Sequence, residues 1–255
     1  MKVVFLGSGN LATRLSLEMK RKGFDIRQVY SHTPAHAERL ANQLRCKWTY
    51  LPGKVEIDAD LYIFALKDTV LEPLIARIAP NNGLWVHTAG SMPMDVFRGH
   101  TARYGVLYPM QTFSKERAVD FRSLPFFLEA NNEADTELLR EVAGQLSDHV
   151  RILSSESRKY LHLAAVFACN FTNHLYALAA KLLQEQGIPS EVLLPLIDET
   201  ASKVHAMPAQ EAQTGPAIRY DENVINKHLA LLEAHPEMQT IYQLMSQSIH
   251  KEAQS

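Results

Sequence analysis

The chain has 255 residues, 46% of them hydrophobic and 21% charged, with a formal net charge of −2 at pH 7. That is globular composition with room for one large domain or two ordinary ones, and it excludes a disordered chain. The near-neutral balance argues against nucleic-acid and membrane partners, and two cysteines, Cys46 and Cys169, are too few for a disulfide framework or a zinc site, so a reducing cytoplasm and no metal are expected.

A short apolar run, residues 3–6, reads as a buried parallel strand. It leads straight into Gly7-Ser8-Gly9-Asn10-Leu11-Ala12, and a helical pattern through Leu15 and Met19 follows as far as Gly23. Strand, G-x-G-x-x-A turn and helix in that order are the dinucleotide fingerprint. Gly7 permits the tight turn, Gly9 lets backbone N–H groups approach a pyrophosphate, and Ala12 lets helix and strand close together. These six residues are the predicted pyrophosphate cradle at the positive end of the helix dipole. The other reading is a glycine turn that serves structure alone.

The next strand, residues 24–31, ends in Ser31-His32-Thr33-Pro34, where an NAD-preferring site carries an acid for the ribose diol. No carboxylate stands there to repel a 2′-phosphate. Ser31 and Thr33 are hydroxyl donors, and His32 or His36 adds charge when protonated. NADP is therefore the predicted cofactor, with NAD less favoured. The absent acid also disfavours a methyltransferase. The same residues read as a helix start, with Thr33 as N-cap and Pro34 behind it, and the two readings are compatible.

Residues 61–66 give another buried strand, with Asp68 expected to cap the helix that follows. Leu84–His87 gives the next, followed by Thr88, Ala89, Gly90 and Ser91. Open α/β sheets hold ligands at the carboxyl ends of their strands. Ala65, Leu66, Lys67, Thr88, Ala89 and Gly90 are thus predicted to line the cofactor groove, the alternative being ordinary turns. "YGVLYPMQTFS" is a strand with an abrupt polar end at Gln111 and Thr112. "PFFLEA", a helix over "EADTELLREVAGQL" and "HVRIL" complete a sheet of roughly eight strands. The fold class is α/β, a doubly wound, mostly parallel Rossmann sheet over residues 1–154.

After Leu153 the strand signals stop, and residues 155–255 read as an all-helical domain. Its first helix, "SSESRKYLHLAAVFACNFTNHLYALAAKLLQEQG", has cap serines at its start and is about 30 residues long, or roughly 45 Å. It is long enough to span a bilayer, but its polar side chains favour burial within protein. On an ideal helical wheel Asn173 lies ~20° from His162, Cys169 falls ~20° to the other side and Asn170 ~80° away. His162, Asn170 and Asn173 are therefore the candidate catalytic face. The competing reading has them capping backbone or pairing across a helix or dimer interface. A second helix, "SEVLLPLIDETASKVHAM", is interrupted by Pro195. A proline-glycine loop bearing Thr214 and Arg219 comes next, and then two more helices.

The blocks "GSGNLATRL", "HTAGS", "GVLYPMQTFS", "LHLAAVFACNFTNHLY" and "AQTGPAIRYDENVINKHLALL" together resemble a family of two-domain Rossmann-like proteins described as NADP oxidoreductases, whose helical half has no assigned function. More distant likeness is to pyrroline-5-carboxylate reductase and to the β-hydroxyacid and 6-phosphogluconate dehydrogenases. The resemblance spans nearly the whole chain. It implies a homodimer formed through the helical domain and an active cleft between the domains. The hydroxyacid dehydrogenases present a Lys and an Asn from the first long helix. Lys159, His162, Asn170 and Asn173 do not reproduce that spacing, so no catalytic lysine is carried over. Reduction of a small imine or carbonyl substrate asks for less. His162 is then the candidate proton donor, with Asn170 and Asn173 to orient the reacting group. Thr214 and Arg219 would clamp a carboxylate, and Tyr108 and Gln111 would contact substrate or the nicotinamide ribose. Arg219 also reads as an ion-pair partner of Asp221 or Glu222. Two functions stay open: an NADP-dependent reductase, for which a deazaflavin co-substrate is conceivable, and a non-catalytic dinucleotide-binding or redox-sensing dimer.

Overall fold

The computed structural model describes residues 1–114 and 117–254. The strands are β1 (Lys2–Leu6), β2 (Asp25–Tyr30), β3 (Lys47–Thr49), β4 (Leu61–Phe64), β5 (Leu84–His87), β6 (Tyr104–Pro109), β7 (Phe126–Ala130) and β8 (Val150–Ile152). They form one eight-stranded sheet in the order β3-β2-β1-β4-β5-β6-β7-β8. β6 and β7 run antiparallel, and the remaining neighbours are parallel. The chain winds outward in one direction from β1 to β3 and then returns to add β4 on the other side, so the switch point lies between β1 and β4. The helices α1 (Asn10–Arg21), α2 (Pro34–Leu44), α3 (Asp68–Ile75) and α4 (Glu133–Leu146) accompany the sheet.

The period of two in β1 sends alternate side chains to opposite faces, and both faces are covered. Val3 and Phe5 share a core with Ala12, Leu15 and Met19 of α1 and with Leu40 and Leu44 of α2. Val4 and Leu6 share another with Leu71 and Leu74 of α3 and with Trp85 and Phe97. Burying each such large side chain contributes about 1.5–3 kcal/mol, which is why the strands read as continuous apolar runs.

Three local expectations change. Asp68 is the first residue of α3 and not its cap; Lys67 holds the cap position, with no side-chain bond. The Asp68 carboxylate instead accepts the Ser91 hydroxyl, which draws the turns after β4 and β5 together. Thr33 does occupy the N-cap of α2, but its side chain makes no capping bond. The short edge strand β3 adds to the strands picked out above.

Two compact units divide the chain, Met1–Cys169 and Asn170–Ser255. The first contains the sheet and α5 (Ser155–Ala165), whose cap Ser154 accepts the Ser157 N–H. The second contains α6 (Thr172–Glu185), α7 (Leu194–Ala206), α8 (Glu222–Leu231) and α9 (Pro236–Glu252). Within it, His228 Nδ1 lies 2.8 Å from the Tyr242 hydroxyl, joining α8 to α9, and His235 pairs with Glu185 at 2.8 Å.

The long helix differs from its reading in two ways. Val166–Phe171 is a π turn between α5 and α6. A π turn takes up about one extra residue, so the side-chain phase slips by roughly 100°, and the ideal wheel joining His162 to Asn173 does not carry across it. Nor is the helix buried in its own chain. Tyr160, Leu163, Phe167 and Phe171 are exposed, and the apolar window in Ser155–Glu185, by length and composition sufficient to cross a membrane, is 0% buried. Apolarity calls for a cover over a helix but does not say which molecule provides it.

Candidate functional site

The carboxyl ends of β2, β1, β4 and β5 finish level with one another. Ser31 N–H donates to the Thr49 carbonyl at 3.1 Å and Gly7 N–H to Tyr30 at 2.8 Å. Ala65 N–H donates to Leu6 at 2.8 Å and Thr88 N–H to Phe64 at 3.2 Å. The turns that follow these strands therefore share one rim, on both sides of the switch point.

Gly7 has φ +126°, and a Cβ there would collide with the Ala65 carbonyl. Only glycine permits this turn to pack against its neighbour. Gly9 caps α1 without a side-chain bond, and no acid stands in the first turn. A Cβ on Gly9 would meet nothing within 4 Å. No cap side chain takes up the first N–H groups of α1, and there is room at Gly9, which suits a diphosphate. By contrast Asn132, Ser154 and Asp221 cap α4, α5 and α8 through their side chains. Asn10 Nδ2 donates to the Phe113 carbonyl at 2.9 Å and Arg14 Nε to Ser114 at 3.0 Å, tying the β6–β7 connection to the start of α1. Leu11 is half-buried and Ala12 buried beneath the cradle. Ser8 Oγ donates to Ser31 Oγ at 2.9 Å, so the ends of β1 and β2 are linked by hydroxyls. His32 beside them is exposed and Thr33 half-buried. After β4, Ala65 and Leu66 are half-buried and Lys67 is exposed on the rim.

The turn after β5 rests on His87, which is fully buried. Its Nδ1 accepts the Ala89 N–H at 3.1 Å, and its Nε2 lies 3.2 Å from the Pro93 carbonyl. A carbonyl only accepts, so Nε2 carries the single proton. Burial, and after it the charge of Arg158, push the His87 pKa down to about 3. A neutral imidazole therefore sets the path of Thr88-Ala89-Gly90. Thr88 and Gly90 are buried and Ala89 half-buried.

His162 lies against this turn. A Cβ on Gly90 would fall 2.6 Å from its Cγ and its Nδ1. Tyr108, near the end of β6, brings its hydroxyl within 3.1 Å of His162 Nδ1, and the two rings meet edge-on at 77°. Tyr108 is buried, and that burial raises its phenol pKa.

α5 is fixed by a charge that the sequence reading passed over. Arg158 is buried, with Nη1 2.8 Å from Glu129 Oε2 of β7 and Nη2 2.6 Å from the Met92 carbonyl. Ser155 Oγ donates to the same Glu129 oxygen at 2.6 Å and accepts the Met94 N–H at 3.0 Å. Arg158 and His162 are four apart, on one helical face, so this anchor also places the imidazole. The spacing was visible in the sequence, but a charged side chain reads there as a surface residue. His87 was hidden in the same way, inside an apolar strand.

Tyr108, His162 and Gly90 thus come together in the first unit. Gln111 is exposed after β6, its Oε1 accepting the Thr112 N–H at 2.8 Å. The other candidates belong to the second unit. Asn170 is exposed in the π turn and Asn173 in the first turn of α6. Thr214 and Arg219 are exposed in the loop that ends at Asp221, the cap of α8.

Sheet order, glycine cradle and acid-free second strand define a dinucleotide-binding α/β protein with an appended helical unit. Residues 2–87 match the family model described as NADP oxidoreductase, coenzyme F420-dependent, and residues 124–249 match a domain of unknown function, DUF2520. The chain is 52% identical to BF3122 from Bacteroides fragilis, a protein provisionally named an NADP oxidoreductase, over 98% of each chain at a TM-score of 0.93. It belongs to that NADP oxidoreductase family. Protein TM1727 from Thermotoga maritima has the same fold at 22% identity, covering 99% of this chain and 100% of its own at a TM-score of 0.82. So does a reductive aminase from Aspergillus terreus, solved with NADPH and ethyl levulinate, at 15% identity, 98% and 94% coverage and a TM-score of 0.74. The curated proteins give no match.

Proposed function

We propose that the protein is an NADP-dependent reductase that delivers a hydride to a small carbonyl or imine compound. The observation that carries this reading is the His162–Tyr108 pair packed on Gly90, across the switch point from the Gly7 cradle. In doubly wound sheets a dinucleotide lies over that point with one half on each side. Gly7, Ser8, Gly9, Asn10, Leu11 and Ala12 would hold the diphosphate. Ser31, His32 and Thr33 would serve the adenosine ribose, and Ala65, Leu66, Lys67, Thr88, Ala89 and Gly90 the remainder of the groove. The bound cofactor supplies the hydride. The chain's own residues supply the proton. As an imidazolium, His162 donates through Nδ1 to the Tyr108 oxygen and gives its Nε2 proton to a carbonyl oxygen or an imine nitrogen, which leaves a neutral imidazole.

Asn170 and Asn173 are assigned the orientation of the reacting group, Thr214 and Arg219 a substrate carboxylate, and Gln111 the nicotinamide ribose or substrate. The exposed apolar side chains of α5 and the π turn support a homodimer through the helical part. Free thiols at Cys46 and Cys169 fit a reducing cytoplasm.

The test is NADPH consumption with a panel of 2-oxo acids, cyclic imines and 2-oxo lactones, run with and without a deazaflavin. Turnover that disappears in His162→Ala while NADPH still binds is the expected result. Tight NADPH binding with no turnover across the panel would leave a dinucleotide-binding sensor in its place.

A further inference from the structure

Residues 108–114 carry the partner of His162 at one end and a tether to α1 at the other. Met110 N–H donates to the Pro125 carbonyl at 3.0 Å, which continues the pairing of β6 with β7 by one residue. Further along, two consecutive carbonyls are taken by side chains of α1, Phe113 by Asn10 Nδ2 at 2.9 Å and Ser114 by Arg14 Nε at 3.0 Å. Asn10 and Arg14 are four apart, so they share a face of that helix. The Phe113 ring packs against the sheet core, 6.1 Å from the ring of Phe121. Between these two holds lie Gln111 and Thr112, both exposed.

The Gln111 carboxamide is oriented as well as exposed. Its Oε1 accepts the Thr112 N–H at 2.8 Å and the Thr112 hydroxyl at 3.3 Å. Among the described residues its Nε2 donates to no other group. With the acceptor side occupied, the amide N–H groups are the side on offer, as donors for a carbonyl, carboxylate or hydroxyl oxygen. A donor that is already ordered loses less conformational freedom when it meets its ligand.

We propose that Arg14 is a positioning residue of the reaction. Together with Asn10 it fixes the strap of residues 110–114 against α1, and so aims the Gln111 amide at the compound being reduced. The inference rests on the reading of the chain as a reductase and names what holds one of its substrate contacts. Asn10 also has a place in the diphosphate cradle, so Arg14, one turn further along α1, is the cleaner probe of the hold.

The experiment compares the whole chain as wild type, Arg14→Met, Arg14→Gln, Gln111→Ala and the double variant Arg14→Met with Gln111→Ala. Methionine puts a methyl group where the arginine Nε stood, and glutamine puts an amide N–H there. Hydrogen exchange in peptides covering residues 110–114, read by mass spectrometry, should speed up about tenfold in Arg14→Met and return toward the wild-type rate in Arg14→Gln, the scale of one charge-assisted hydrogen bond. With a compound that the wild type reduces, Arg14→Met should lower kcat/KM by about tenfold and Arg14→Gln should recover most of it. The double variant should be no worse than Gln111→Ala, a non-additivity that a merely structural role would not produce. Unchanged exchange in Arg14→Met overturns the hold, as does an Arg14→Gln variant no better than Arg14→Met. Losses that add in the double variant overturn the action through Gln111. Each of these leaves the reductase reading intact, whereas a wild type that turns over no compound overturns that reading and the positioning role with it.

Discussion

His87 gives the sharpest quantitative handle on the turn that carries Gly90. Its ordinary pKa of 6.5 falls to about 3 in the folded protein, through burial first and the nearby Arg158 charge second. In the unfolded chain the imidazole regains its ordinary value. Between pH 6.5 and 3 the unfolded state therefore binds a proton that the folded state refuses, and stability falls as pH falls through that window. The contribution is intact above pH 6.5. From pH 7 to pH 5 the loss from this one group is roughly 2 kcal/mol. The comparison is wild type against His87→Gln, which keeps a donor for the Pro93 carbonyl but does not titrate. Urea unfolding followed by the fluorescence of buried Trp85, which packs against Phe97 beside His87, reports on the sheet. Other titrating groups are common to both proteins and cancel. The wild type should lose roughly 2 kcal/mol more than the variant on acidification, whatever the variant costs at pH 7. Parallel pH profiles, or a His87 ring proton that titrates near pH 6.5 by NMR, would refute the buried neutral imidazole.

Gly90→Ala should push the His162 ring off the turn and lower kcat by about a hundredfold; an unaltered kcat would mean that the ring is not used where it lies. Tyr108→Phe keeps the packing and removes the hydroxyl, so kcat should fall by roughly a hundredfold, with a shifted pH profile and an unchanged melting temperature. Arg158→Met leaves Glu129 unpaired beneath α5 and should cost about 3–5 kcal/mol in chemical unfolding. Adding Glu129→Gln to that variant should recover much of the loss, and a double variant no better than the single one would argue against the ion pair.

What the residues revealed before folding, and what they hid, follows physical lines. Gly7-Ser8-Gly9 was legible because a left-handed turn and a close approach leave little choice of side chain. Leu84–His87 and α4 were legible from uninterrupted burial and a clean helical period. β3 was not, since Lys47 and Trp48 are exposed and three residues make no pattern. Arg158 and His87 escaped because a buried polar group is defined by its partners, and those lie far away in sequence. The π turn escaped because the wheel presumes 3.6 residues per turn throughout. Exposure of α5 and the π turn escaped because a sequence cannot say which molecule covers an apolar face.

The central claim is that hydride passes from NADPH to a substrate held at His162. NADPH deuterated at the transferring position of its nicotinamide, incubated with the wild type and the pooled imines and 2-oxo compounds, tests it by mass spectrometry of the products. One compound should gain a single deuterium, and His162→Ala should abolish the labelling without losing NADPH. Saturation of the wild type by NADPH with no labelled product would contradict the account.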